Sequence, residues 1–161
     1  MLITDMAFSA PRFRATRWLT NPGLAVPDDI KMALLSTLFG TLPIFAGGVL
    51  NTVAVAALVS IRHPGPLFQF WLWLELTLCA VRLVVLVHSL KAARAARKTP
   101  TDLYLGLAVF WAASVGYGCC VTISSGDWVA STLACLSAAA MVGGICFRNF
   151  GAPRLVGVMI A

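Results

Sequence analysis

The sequence predicts an all-α fold, a polytopic transmembrane helix bundle with four complete spans plus the start of a fifth. Three observations carry that prediction. Of the 161 residues, 60% are hydrophobic and only 11% charged, against about 45–50% and about 25% in soluble domains, so a soluble globule would lack the polar side chains to cover itself. The mean hydropathy of +0.89 agrees. Apolar runs recur at lengths near the roughly 20 residues a helix needs to cross a bilayer, and short polar segments with Pro or Gly separate them. The same composition excludes disorder, collagen and coiled coil, and the length leaves no room for an enzyme domain beside the bundle.

Residues 1–30 are expected to form a basic cytoplasmic tail. Arg12, Arg14 and Arg17 stand among Pro11, Pro22 and Pro27, and no apolar run follows the arginines directly as it would in a signal peptide. Such a tail either lies on an anionic inner leaflet or is disordered. The membrane region then occupies 31–161. Pro27, Asp28 and Asp29 supply a helix start. No charge appears from Met32 to Ile61, which reads as one tilted helix, kinked near Pro43, Gly47 and Gly48.

Arg62 to Pro66 reads as a tight turn. The second span runs from Leu67 to about Leu90, with Trp71 and Trp73 as interfacial anchors. The basic run from Lys91 to Asp102 is expected to be a solvated loop or surface helix. A third span covers Leu103 to Ile123, a turn Ser124 to Asp127, and a fourth span Trp128 to about Phe147. After the polar turn Arg148 to Arg154, the apolar run from Leu155 onward is the expected start of a fifth helix, in a polypeptide expected to continue.

Orientation follows from the basic residues, which gather in loops that stay cytoplasmic. Counting Lys31, the tail holds four, the 91–102 segment four and the 148–154 turn two. Arg62 is alone on the other side, and Arg82 lies within the second span. The amino terminus is therefore expected inside, and the net charge of +6 is read as topology, with no nucleic-acid partner. The five cysteines lie in apolar stretches without CxxC spacing and are expected to be small buried packing residues. With no phosphate loop, HExxH, GxSxG or acidic cluster, no catalytic residue, metal or cofactor is expected in this chain.

Glu75 and Arg82 are the residues that composition alone does not explain. Each is about four residues from the middle of the second span, about 5 Å from the membrane centre, and their spacing of seven places them on one helical face about 10 Å apart. Burying either charge costs several kcal/mol, so such residues face the bundle interior and take partners there. The candidate partners are Asn51, Tyr117 and Ser114. The centre is either a ligand-sensing or proton-responsive site, or a structural polar clamp. His63 and His88 fall on opposite sides and cannot share a metal. Small residues four apart, Ser131, Cys135, Ala139 and Gly143 beside Ala130, Ala134 and Ala138, are read as close helix packing.

The order of these features resembles a family. The runs "LLSTLFGTLPIFAGGVLNTVAVAAL", "RHPGPLFQFWLWLELTLCAVRLVVL" and "VGGICFRNFGAPRLV" are similar to the multi-span amino-terminal membrane region of bacterial GGDEF-type diguanylate cyclases. The resemblance covers about residues 26–161. Its best marks are the helix with Glu75 and Arg82 and the helix ending in Arg148-Asn149, with Pro153-Arg154 after it. It implies a sensor region in the bacterial inner membrane, acting as a homodimer and answering a small-molecule or membrane-state signal. The cyclase domain, which joins two GTP molecules into cyclic di-GMP with magnesium, would follow the chain, because its Gly-Gly-acidic-acidic-Phe signature is absent here. The alternatives are a small multi-span transporter or channel, or a structural membrane subunit.

Overall fold

The structure is a computed structural model that describes residues 8–23, 26–39, 42–149 and 151–161. Among these residues it is all helical: α1 (Arg14–Leu19), α2 (Asp28–Leu38), α3 (Leu42–Arg62), α4 (Pro66–Arg94), α5 (Thr101–Ser124), α6 (Trp128–Arg148) and α7 (Pro153–Ile160). Four helices, α3 to α6, are long and apolar enough to cross a membrane. They form a closed ring in which α3 touches α4 and α6, and α5 touches the same two.

The ring is turned inside out relative to a soluble bundle. Leu50 (72%) and Phe110 (68%) are exposed, whereas Glu75 (0%) and Arg82 (4%) are buried. Large apolar side chains on the outside have a favourable environment only in lipid or against another apolar surface. The fold is thus that of a multi-pass membrane protein.

The uncharged run from Met32 to Ile61 is two helices rather than one. The last amide of α2, at Phe39, bonds the Ser36 carbonyl at 3.2 Å in a tightened final turn, and α3 starts afresh at Leu42. Pro43, expected as a kink, instead sits second in α3, where its missing N–H costs nothing because that amide would have no helical partner. Pro66 opens α4 in the same way. Asp127 caps α6 by accepting from the Val129 and Ala130 amides at 2.8 and 3.3 Å, and Gly126 before it takes the left-handed φ of +72° that the turn needs and glycine adopts without strain.

The basic segment after the second span is partly helical. α4 continues through Arg94, burying Ala92 and Ala93, and closes with an Arg97 amide bond back to the Ala92 carbonyl at 2.8 Å. The tail, described from Phe8, packs on the bundle. Ser9 and Thr99 exchange amide–hydroxyl bonds at 2.9 and 3.0 Å, and Asp102 accepts from the Arg12 and Phe13 amides and the Thr16 hydroxyl. Phe8, Phe39 and Tyr104 stack in series with centroids 4.2 and 4.5 Å apart. Arg154 of α7 lies over the Trp18 ring at 5.3 Å. These contacts bring the tail, the α4–α5 connection and α7 to one end of the ring. Arg62, His63 and Asp127 cluster at the other. The side chain of Arg148, one mark of the resemblance, lies outside the described residues.

Candidate functional site

The centre of the bundle is built from one face of α4. Trp71, Glu75 and Cys79 repeat every four residues and Arg82 follows three later, so all four stack on one side of the helix, and all four are buried. Across from them α5 presents Trp111, Ser114 and Gly118, also spaced by three and four and buried. The two tryptophans on this face are therefore walls of the interior. Trp71, expected as an interfacial anchor, is 3% exposed while Trp73 is 66% exposed.

Donors surround the Glu75 carboxylate. The Ser114 hydroxyl and the indole N–H groups of Trp71 and Trp111 face it, with the positive charge of Arg82 beyond. The Cys79 thiol donates to Oε2 at 3.9 Å and touches the Thr52 hydroxyl of α3 at 4.0 Å. Neither indole N–H nor the Ser114 hydroxyl closes an aligned hydrogen bond among the described residues, and Oε1 of Glu75 accepts none. The carboxyl group thus lies among converging donors, none of which fixes it in one geometry.

Arg82 points to the other side of the same wall. Its guanidinium lies over the Trp111 ring at 4.3 Å and the Phe45 ring of α3 at 5.2 Å. Beside it is a half-open cavity of about 300 Å³ lined by α3, α4, α5, α6 and α7, with Arg82, Trp111, Phe45 and the exposed Asn51 on its wall. Of the expected partners, Ser114 stands at Glu75. Asn51 lies at the cavity, where its amide donates to the Ser137 hydroxyl at 2.7 Å. Tyr117 is used elsewhere: its hydroxyl donates to the Leu67 carbonyl at 3.5 Å and its ring meets Phe70 edge-on at 5.7 Å. Sequence reasoning missed Trp71, Trp111, Cys79 and Phe45. For the α4 pair, the four-residue spacing to Glu75 was a usable signal.

A second polar cluster closes the opposite end of the ring. Asp127 pairs with Arg62 and with Nε2 of His63, the latter at 2.8 Å, while the His63 ring stacks on Phe68 at 5.0 Å. The Arg62 guanidinium first, then His63 and the two capping amides, hold the Asp127 carboxyl well below the usual carboxylate range. The five cysteines are free; of these, expected to be buried, only Cys79 is, while Cys119, Cys135 and Cys146 are half-buried and Cys120 is exposed. Among the described residues no three His, Cys, Asp or Glu side chains come together as metal ligands would.

These features define a class: a multi-pass helical bundle with a buried ionisable pair beside a half-open cavity. Comparison with known proteins found no matching family model, no similar curated protein and no similar solved structure.

Proposed function

We propose that the chain is the signal-input region of a bacterial diguanylate cyclase, lying in the inner membrane with its amino terminus in the cytoplasm. The observation that carries the reading is the placement of Glu75 and Arg82, both buried at mid-span, with Arg82 open to a cavity. Ionisable groups kept at that depth are costly and serve pathways or ligands far more often than packing. The amino-terminal inside orientation is supported by the basic clusters of the tail, the α4–α5 connection and Arg154 at one end of the ring, as the positive-inside rule demands. The homodimer, and a downstream GGDEF domain that alone uses GTP and magnesium, come from the resemblance in sequence.

The reading is tested by joining the chain in frame to a soluble GGDEF domain in a bacterial host and measuring cyclic di-GMP. Glu75→Gln and Arg82→Gln are expected to change the product level at equal protein abundance, while Arg97→Gln leaves it unchanged. A product level indifferent to both interior substitutions would overturn the input role. Reporter fusions at Lys98 and Asp127 check orientation, and a periplasm-requiring reporter active at Lys98 would reverse it.

A further inference from the structure

We infer that the docked tail is a binding surface for an anionic phospholipid headgroup, with Arg12, Arg14 and Arg17 taking the phosphate and Phe13 and Trp18 entering the headgroup layer. This goes beyond the cyclase reading and stands without it, since it needs only the multi-pass bundle and the tail packed on its end. The fold holds α1 by anchors that leave its cationic side chains unused. At its start the Asp102 carboxylate accepts from the Arg12 and Phe13 amides and the Thr16 hydroxyl. At its end Arg154 of α7 donates to the Trp18 carbonyl at 3.5 Å. Thr16 is the one buried residue of α1.

Because Asp102 is taken up by backbone amides and a hydroxyl, the guanidinium groups of the tail have no carboxylate of their own. Among the described residues the ion pairs are Lys31 with Asp28, and Arg62 and His63 with Asp127. Arg12, Arg14 and Arg17 are exposed without an acidic partner among those residues. Arg14 and Trp18, four apart, share the face turned away from Thr16, and Arg17 lies beside them. Phe13 is 68% and Trp18 52% exposed. Rings set among arginines suit the membrane interface, where the ring meets the edge of the acyl chains and the cation meets phosphate. A segment already held in place loses little freedom on binding.

A guanidinium binds phosphate oxygens through paired N–H bonds, and a headgroup whose phosphate charge is not cancelled by its own choline leaves that charge to the arginines. The same side chains would suit an acidic protein segment. The exposed rings favour lipid, and so does the place of α1 at the end of helices whose outer sides are apolar.

The test offers the full chain in mild detergent equal amounts of phosphatidylglycerol and phosphatidylcholine and counts bound lipids by native mass spectrometry. Phosphatidylglycerol is expected to be preferred. Each basic residue at an anionic membrane contributes about fivefold in affinity, so replacing Arg14→Gln and Arg17→Gln together should lower the preference about tenfold or more, while Arg62→Gln, at the other end of the ring, leaves it unchanged. Asp102→Ala separates a built surface from net charge. It removes a negative charge, so charge alone would strengthen the preference, whereas loss of the anchor is expected to weaken it severalfold. Circular dichroism identifies any variant that fails to fold, and the paired arginine variant carries the decision if Asp102→Ala does. No preference in the wild type, an unchanged preference in the paired variant, or a preference kept or raised by folded Asp102→Ala would overturn the surface. Binding of polyglutamate that the paired variant abolishes, without any preference for phosphatidylglycerol, would overturn the lipid in favour of an acidic protein segment. No cyclase domain enters the measurement, so its failure is distinct from failure of the cyclic di-GMP reading.

Discussion

Trp111 serves both charges of α4 at once: its ring lies 4.3 Å from the Arg82 guanidinium and its indole N–H faces the Glu75 carboxylate. One side chain of α5 thereby couples two groups that lie two helical turns apart on α4 and do not need to touch.

The two roles of Trp111 separate by substitution. Trp111→Phe keeps a ring for Arg82 and removes an indole N–H that faces Glu75 without closing an aligned hydrogen bond, so it is expected to cost less than about 1 kcal/mol. Trp111→Leu removes both and is expected to cost roughly 3 kcal/mol, the desolvated cation–π contact included. Thermal unfolding in detergent ranks them, and equal losses would show that only one of the two contacts contributes.

Gly118 is expected to be intolerant of any side chain. A Cβ there would lie 2.2 Å from two ring atoms of Trp71, and Trp71 is itself buried in the cluster with Val59, Ala130 and Ala134. Gly118→Ala should lose about 1–3 kcal/mol by overpacking, whereas Gly116→Ala, with open space at its Cβ, should be neutral or slightly stabilising. Melting temperatures of the two variants decide it.

The cluster at Asp127 gives stability a sign with pH. Its carboxyl is held below the ordinary 3.8, chiefly by Arg62, so the folded state binds its proton more weakly than the unfolded chain does. The contribution is present above about pH 4 and is lost as the pH falls through the folded value. Asp127→Asn keeps a residue suited to capping α6 while removing the charge. The difference in melting temperature between wild type and variant is therefore expected to be larger at pH 6 than at pH 3; a constant difference would deny the charge a role.

Asp102 is expected to hold the tail. It gathers the Arg12 and Phe13 amides and the Thr16 hydroxyl, and a docked backbone resists proteolysis. Asp102→Ala should speed tryptic cleavage after Arg12, Arg14 and Arg17 severalfold with little change at Arg97. Unchanged cleavage rates would mean that the Phe8–Phe39–Tyr104 stack suffices.

The spans were legible because uncharged runs of the right length leave few alternatives in a chain so poor in charge. The division between α2 and α3 was not. Hydropathy is uniform across it, and Pro43 fits a kink as well as a helix start until the amide of Phe39 is seen bonding backwards. Trp71 and Trp73 looked alike in sequence, yet residues two apart on a helix point about 200° apart, and only one of them can share the face of Glu75. Trp111 carried no mark of its own, since an aromatic residue in an apolar run fits lipid and interior equally. The contacts of the tail with the α4–α5 connection join residues as much as 92 apart, a separation that no local pattern reports.

That separation sets an order of assembly. Ser9 and Arg12 find their partners at Thr99, Thr101 and Asp102, so while the chain is being made the tail has nothing to dock on until α3 and α4 are complete and α5 begins to leave the ribosome. Until Tyr104 is made, Phe8 has only Phe39 of its stack. The stack of Phe8 on Phe39 and Tyr104 then closes as a late step, reporting that the first two membrane crossings have been threaded and have brought the chain back to the side it started from.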